Sequence, residues 1–579
     1  MELVLSELEH GIEKSISALK KFNTQNSTNF SLGETSEARK KFCASLLSLL
    51  PSAGATIPST MSSELHIEVL TALRIASREQ YGITELTTEY SVKKLLSLAG
   101  LVGDVKKAFT EISYDNLSMQ VALESLKCLS NVTLKNESSA VACGKLGADK
   151  ALLDRTKLWD TTVIPHDVKF FDMRLLFILT AVCTKVRTVI RDEYNGFTKM
   201  VALVDYVMFG SSEGPAPQQA TNSTAAATPV AQLTCRENSY TIVVKKDTAT
   251  LLAEMMKTIF NITLNWCEKE DDLNKEDLHT FKCFTHLLRI LLLSVSPYQG
   301  VGERQLLSHC IDTMMNLPLS CSSFLVLPPE VKVDTILPYH LDASTVKSLY
   351  SQTLDKIYND HNVAVIVALL NFLYMKLTVE EMSSHLMPVV AVLRITAAGN
   401  RNIRKFLRQE ILPPIGKVAA RPDIGSSLKS RLVKLMTGTA GGVETIVADL
   451  LYILCKENPN RLVKHTGYGN AAGLLMSRGM LGGRTQPQEF VYSDDEDSDT
   501  EEYLQSCIDP VTGGPAKTPE PSPLDSMTEE AKEVEAEKLM GLIDQLNRHG
   551  VVRMLPVDKH GSPLNTANDT KEESDDSDN

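Results

Sequence analysis

Six five-residue stretches set one large polar residue inside an apolar run: ALRIA at 72–76, LSNVT at 129–133, IFNIT at 259–263, MMNLP at 314–318, LLNFL at 369–373 and VLRIT at 392–396. The polar residues are Arg74, Asn131, Asn261, Asn316, Asn371 and Arg394. Around them apolar residues recur at i, i+3, i+4 and i+7, the spacing of one helix face. That spacing predicts helices over Leu65–Ser77, Gln120–Leu134, Lys169–Val189, Thr250–Asn265, His279–Val295, Val363–Leu377, Leu386–Ala398 and Ser427–Leu435. Several are apolar nearly all round, as inner helices of a layered protein are. No convincing run of alternating strands interrupts them up to about residue 470. The expected fold is therefore all-α, an armadillo/HEAT-like α-solenoid over residues 1–470, in which each helical unit packs only on its neighbours. The 55-residue steps from Asn261 to Asn316 and from Asn316 to Asn371 exceed a bare ~40–47-residue unit, so loops take up the difference. One polar residue per inner helix would line a groove, which makes this row a candidate binding surface. The alternative is that each Asn simply bonds a neighbouring helix end; as a set, the row favours the groove.

Composition agrees with helices packed on helices. Of 579 residues, 43% are hydrophobic and only 6% aromatic, with Leu, Val, Ala and Ile abundant. The net charge of −13 is unevenly spread. Residues 491–579 hold 23 acids and seven bases, a net of −16, and the other 490 residues net +3. The eleven Cys form no C-x-x-C pair, and Cys128, Cys183 and Cys283 sit in apolar patterns as small hydrophobes. The start, MELVLSELEHGIEKS, has acids where a signal peptide has bases. No apolar run reaches the ~18 residues of a transmembrane helix. A reducing, cytoplasmic setting is expected.

Four further segments follow. Residues 210–234 are rich in Pro, Ser, Thr and Ala and read as a flexible loop within the array. Residues 471–526 are a Gly-rich, acidic and then Pro-rich linker. In 527–548 an amphipathic helix is expected, opened by a capping box of Ser526 and Glu529 and closed by Gly550. Its apolar stripe is Val534, Leu539, Leu542, Ile543 and Leu546. Such a helix on a tether docks on its own solenoid or on a partner. Residues 549–579 read as a disordered acidic tail.

Motifs of covalent chemistry are missing. There is no P-loop, no H-E-x-x-H, no G-x-S-x-G elbow, and GYGNAAG has neither the spacing nor the strand context of a dinucleotide loop. The twelve His are dispersed. Neither a metal, a cofactor nor an enzyme is expected. What stands out is a pair of opposite charge runs. VYSDDEDSDTEE at 491–502 carries seven acids and no base, with Ser493, Ser498 and Thr500 threaded through it. Acids at +3 from Ser493 and Ser498 suit an acidophilic kinase of the casein kinase 2 type, and each phosphate would add about −1.5 to −2 charges. Residues 401–434 hold nine bases against two acids, and Arg401, Arg404, Lys405 and Arg408 fall at i, i+3, i+4 and i+7, so one face can present all four. A nucleic-acid site is disfavoured by the lack of interleaved aromatics and by the competing acidic tail. A patch for a phosphorylated or acidic segment fits better, with a solvated basic face as the plain alternative.

Several motifs then resemble one family, running nearly end to end: LTALRIASR (70–78), LESLKCLSNVTL (123–134), PHDVKFFDMRLLFILTA (165–181), RKFLRQEILPP (404–414), KHTGYGNAAGLL (464–475), YSDDEDSDTEEY (492–503), IDPVTG (508–513) and MTEEAKEVEAEKLM (527–540). The chain resembles the synembryns, the resistance-to-inhibitors-of-cholinesterase proteins that act on heterotrimeric G-protein α subunits. The loop near 210–234 departs from that pattern. The resemblance implies a right-handed armadillo/HEAT superhelix with an extended C-terminal arm. It also implies guanine nucleotide exchange on free, GDP-bound Gα and chaperoning of nascent Gα, without covalent catalysis. It implies that the concave groove binds the Gα C-terminal helix, with Arg74, Arg78, Asn131, Arg401, Arg404 and Lys405 at groove or phosphate-patch positions. Ser493 and Ser498 would be regulatory phosphosites, and the helix at 527–546 an arm on the nucleotide-binding domain. A cytoplasmic protein with a cell-cortex or peripheral plasma-membrane pool is implied. A generic armadillo-type adaptor for acidic or extended peptides is the competing reading of the same fold.

Overall fold

The computed structural model describes residues 1–8, 10–52, 60–105, 107–108, 116–134, 136–159, 164–210, 231–236, 239–244, 246–266, 273–294, 301–326, 356–378, 386–413, 420–438, 442–480, 509, 511–515 and 527–549. Among these, α1 (Glu2–Glu7), α2 (Ile12–Gln25), α3 (Ser36–Ser48), α4 (Thr60–Ala76), α5 (Glu89–Leu98), α6 (Asn116–Leu134), α7 (Glu137–Lys145) and α8 (Ala148–Thr156) open the chain. There follow α9 (His166–Val182), α10 (Thr184–Asp192), α11 (Gly196–Phe209), a hairpin of β1 (Ala231–Arg236) and β2 (Ser239–Val244), α12 (Lys246–Thr263), α13 (Lys275–Ser294) and α14 (Val301–Met314). The rest are the two-residue strands β3 (Ile357–Tyr358) and β4 (His361–Asn362), α15 (Ala364–Thr378), α16 (Leu386–Gly399), α17 (Arg401–Ile411), α18 (Leu428–Leu435), α19 (Val443–Leu454), α20 (Pro459–Thr466), α21 (Tyr468–Ser477) and α22 (Glu529–Arg548). The chain forms two compact units, Met1–Ser506 with Pro510–Gly514, and Cys507–Asp509 with Pro515–Asn579.

The first unit is an armadillo-like α-solenoid. One row of helices runs through it, each packed on the next: α2, α4, α6, α9, α12, α14, α16, α19 and α21. A second layer, including α5, α7, α11, α13 and α15, packs against that row. Row helices away from the ends, such as α12 and α16, are apolar over most of their surface because each has neighbours on both sides and a layer behind. In α12, for example, Leu252, Met255, Met256, Ile259 and Ile262 are fully buried, and burying each such side chain contributes about 1.5–3 kcal/mol.

Local chemistry sets the helix ends. Thr35, Thr88, Asn136, Asn400, Ser427 and Asn458 cap helices by accepting first-turn backbone N–H groups, each worth about 1 kcal/mol. Lys169–Val189, expected as one helix, is two. Cys183 is extended (φ −115°, ψ 105°), and the Arg187 Nε donates to Thr180 O at 3.0 Å, so a side chain satisfies a carbonyl that the broken helix frees. The segment expected as a loop, 210–234, lies mostly outside the described residues, but its last four residues belong to β1. That strand pairs antiparallel with β2, Ala231 opposite Val244. The β-branched run Thr241–Val244 supplies the strand preference. The arm helix is capped two residues later than expected: Thr528 is the N-cap, without a side-chain capping bond, and Ser526 and Gly550 lie outside the described residues.

Buried polar groups lock neighbouring units. Arg155 on α8 and Asp172 on α9 are both fully buried. Arg155 donates from Nε to Asp172 Oδ2 at 2.8 Å, from Nη2 to Oδ1, and from Nη1 to Ala99 O at 2.6 Å. Arg39, also buried, joins Ala76 O at 2.9 Å and the Glu79 carboxylate. Cys43, Cys128, Cys143, Cys183, Cys283, Cys310, Cys321 and Cys455 are buried and in no disulfide; burial pushes Cys43, Cys128, Cys143 and Cys455 up to about 12, so these four stay thiols and pack as hydrophobes. Among the described residues no helix is long and apolar enough to cross a membrane.

Candidate functional site

The Asn row divides in the structure. Asn131 on α6 donates from Nδ2 to Arg74 O at 3.1 Å and to Ser77 Oγ at 3.4 Å on α4 and its exit. Asn261 on α12 donates to Phe177 O (3.2 Å) and Thr180 Oγ1 (3.1 Å) of α9. Asn316, just past α14, donates to Phe260 O (2.9 Å) and Thr263 Oγ1 (3.0 Å) of α12. Each Asn thus grips a carbonyl and the hydroxyl three residues later on the preceding row helix. The hydroxyl in turn donates back to its own helix, as Thr263 does to Ile259 O at 2.8 Å. These three Asn are joints between units: their amides are spent on neighbouring helices, the plainer of the two sequence readings. Such bonds to a largely buried side chain are worth about 1 kcal/mol each and cost more when one partner is left alone.

The other expected groove residues scatter. Asn371 is exposed on α15, which belongs to the second layer and packs on α16 and α13. LLNFL reads like a row helix because both layers are sandwiched and apolar. Arg74 contributes its carbonyl to the joint, one position off the Asn alignment, while its Nε donates to Glu124 Oε2 at 2.8 Å. Arg78 clamps the turn after α2, donating to Asn26 O at 3.1 Å and Ser27 O at 2.7 Å with its guanidinium over the Phe30 ring. Arg394 stands where the Asn stands in α12, two residues before a Thr bonded to the same helical turn.

Counting back from Asn131 and Asn261 reveals a second, unanticipated pattern. Four residues earlier stand Lys127 and Lys257; seven earlier stand Glu124 and Glu254. Glu124 binds Arg74 of α4 and Lys127 of its own helix. Glu254 binds Arg174 of α9 at 3.3 Å and Lys257 of its own helix. Each carboxylate is thus shared by two cations, leaving one net positive charge per cluster. Burial, with the Arg174 charge added, lowers the Lys257 pKa despite Glu254. Between the clusters α9 presents Phe170, Phe171 and Phe177, half-buried. The Lys127 ammonium lies 5.5 Å from the Phe171 ring centroid and Lys257 4.6 Å from that of Phe177. The signal for these residues was the fixed offset from Asn131 and Asn261, which only a register between units makes readable. One face of the row therefore combines apolar rings with cations held by Glu, a surface suited to an amphipathic segment carrying acidic groups.

The basic stretch is also redistributed. α17 places Arg401 in solvent and Lys405 and Arg408 half-buried, but Arg404 is only 6% exposed and donates from Nη1 to Ala397 O at 2.9 Å. The four do not share one solvent face, because Ile403, Phe406 and Leu407 pull that side of the helix into the core. Arg421 pairs with Asp423 at 2.8 Å, and Arg431 donates to Leu377 O at 2.9 Å. What assembles instead joins three helices: Arg408 of α17, Lys429 of α18 and Arg461 of α20 all act on His465 and Cys455. Burial first, then these three charges, push the His465 pKa down to about 3. Arg461 Nη1 is buried without a hydrogen-bond partner. The expected phosphosites Ser493, Ser498 and Thr500 lie outside the described residues.

Burial likewise lowers His286 on α13, to about 4, with Arg289 adding to it. Both imidazoles are held neutral in the fold, below their ordinary value of about 6.5. The unfolded chain then binds more protons between pH 6.5 and 4, so stability is full above about 6.5 and falls as pH drops through that window. Urea midpoints at pH 7.5 and 5.0 should show this loss, and His286→Phe should reduce it; an equal loss in the variant would remove His286 as a source.

On α22, Val534, Leu539, Leu542 and Leu546 are 41–59% exposed and Ile543 half-buried, with no residue of the helix buried. These five apolar residues lie on one helix with none of them buried. Among the described residues no three His, Cys, Asp or Glu side chains gather as metal ligands.

A family model described as guanine nucleotide exchange factor synembryn matches residues 69–562. Chaperone Ric-8A of Bos taurus is 31% identical over 563 residues, covering 96% of this chain and 94% of that protein. Chaperone Ric-8A of Gallus gallus is 32% identical over 569 residues, covering 97% and 95%. Among solved structures, an engineered protein aligns over 87% of this chain and 96% of its own with a TM-score of 0.39 and 14% identity. SYS-1 aligns over 87% and 97% with a TM-score of 0.32 and 10% identity.

Proposed function

The chain belongs to the synembryn family of guanine nucleotide exchange factors, and on that premise we propose that it engages Gα by drawing its C-terminal helix onto the face of the solenoid row between Lys127 and Lys257. The observation that carries this reading is the run of half-buried Phe171 and Phe177 flanked by two cation clusters, on helices already tied together by Asn131 and Asn261. A rigid, apolar and weakly positive face selects an amphipathic helix and holds it without reorganising itself. In Gα that helix joins a loop that contacts the guanine. Seating the helix displaces the loop and lowers GDP affinity. The same contacts hold the nucleotide-free or nascent subunit until GTP binds. No bond is made or broken, so the effect is limited to the difference in affinity between the open and closed states of Gα.

The arm adds a second contact, with α22 laying its exposed Leu stripe on the nucleotide-binding domain of the same Gα. Phosphates on Ser493 and Ser498, added by an acidophilic kinase, would be received by the cations that include Arg401, Arg408, Lys429 and Arg461, bracing the last units. Arg461→Glu should abolish most of the gain in exchange rate that kinase treatment gives, read as the ratio of treated to untreated rate. An undiminished phosphorylation gain in that variant removes the cluster from the account. GDP release from purified Gα, measured with and without the chain, tests the main reading.

A further inference from the structure

Downstream of the solenoid one short segment returns to it. Gly469 N donates to Val511 O at 3.0 Å, and Gly513 and Gly514 are buried. The approach is backbone on backbone: a Cβ on Gly513 would stand 2.8 Å from Gly467 N and 2.9 Å from Pro422 Cγ. A Cβ on Gly467 would meet Thr512 C and O at 2.7 Å. Both glycines have positive φ, +67° and +79°, so their lack of a side chain serves conformation and proximity at once. Residues 510–514 accordingly belong to the solenoid unit, whereas Pro515 onward belong to the other.

We infer that this strap is an anchor that shortens the tether of α22, so that helix and solenoid act together on one partner. The inference rests on the reading above that α22 and the row contact the same Gα. Without the strap, the helix hangs from α21 by the 48 residues Leu481–Thr528; with it, by the 14 residues Pro515–Thr528. A chain of n residues reaches at most about 3.5 Å times n, about 50 Å against about 170 Å. The effective concentration of a tethered group falls as about the −3/2 power of length once the tether exceeds the span. The anchor therefore raises the concentration of α22 at a solenoid-bound partner about sixfold. It does so with no contact to that partner.

The test measures the affinity of the full-length chain for purified GDP-bound Gα. Gly513→Ala should expose the Gly469 amide to hydrogen exchange and weaken binding about sixfold. A ~34-residue Gly/Ser insertion after Ala516, which restores the longer tether with the strap intact, should weaken binding by the same factor. Both effects should vanish when α22 is disabled by Leu539→Asp with Leu542→Asp. Unchanged affinity on insertion, with the α22 variant still weakened, overturns the anchor and leaves the two-contact reading standing. If the α22 variant binds as tightly as the natural chain, the two-contact reading fails and the anchor with it.

Discussion

Arg155→Met is expected to remove about 3–5 kcal/mol of stability, the cost of leaving one member of a buried ion pair alone. The carboxylate of Asp172 would lose two donors, and Ala99 O a third. All three lie where α8, α9 and the end of α5 meet, so no water replaces the guanidinium. Burial already raises the Asp172 pKa against the pull of Arg155; without that cation it rises further, so the variant loses more stability as pH climbs past the ordinary carboxyl value of about 3.9. The double variant Arg155→Met with Asp172→Leu should recover most of the loss, since an apolar pair of similar volume needs no hydration. A urea midpoint for each variant checks this. Equal loss in the single and double variants would mean that the site matters for shape, not charge.

The second large effect concerns the row face. Phe171→Ala with Phe177→Ala should weaken Gα binding by about 3 kcal/mol, on the order of 100-fold, with little loss of stability. Both rings are half-buried in the free protein, so truncation leaves no closed cavity. In a complex they would become fully covered, and covered aromatic anchors at the centre of an interface are each worth about 1–2 kcal/mol or more. Asn261→Ala provides the contrast. It removes a joint, so it should lower stability by about 1–3 kcal/mol and affect binding only through the spacing of α9 and α12. If the Phe variants bind normally while Asn261→Ala binds poorly, the row acts through its curvature and not its surface.

The helical repeat was readable because each unit writes the same 3.6-residue period, and neighbouring units must pack alike. Which layer a helix joins was not readable. LLNFL around Asn371 and IFNIT around Asn261 have the same apolar frame, and only the three-dimensional stacking sends one to the row and the other to the second layer. The Asn residues advertised the row correctly at 131, 261 and 316, but for their role as joints. The binding candidates stood four and seven residues upstream, in Lys127, Glu124, Lys257 and Glu254, invisible until Asn131 and Asn261 were in register. The run of bases at 401–434 was legible as charge but not as surface. Arg404 is drawn inward by the same amphipathic turn that buries Ile403 and Leu407, and the cluster that forms borrows Arg461 from far outside the run.

The most direct measurement is the rate of GDP release from Gα with excess full-length chain, repeated with a synthetic peptide of the Gα C-terminal helix as competitor. Release should accelerate at least tenfold and return to the intrinsic rate as the peptide fills the row face. An unchanged rate with the chain present would instead describe an adaptor that binds without opening Gα. Acceleration that the peptide cannot suppress would place the working surface somewhere other than the face between Lys127 and Lys257.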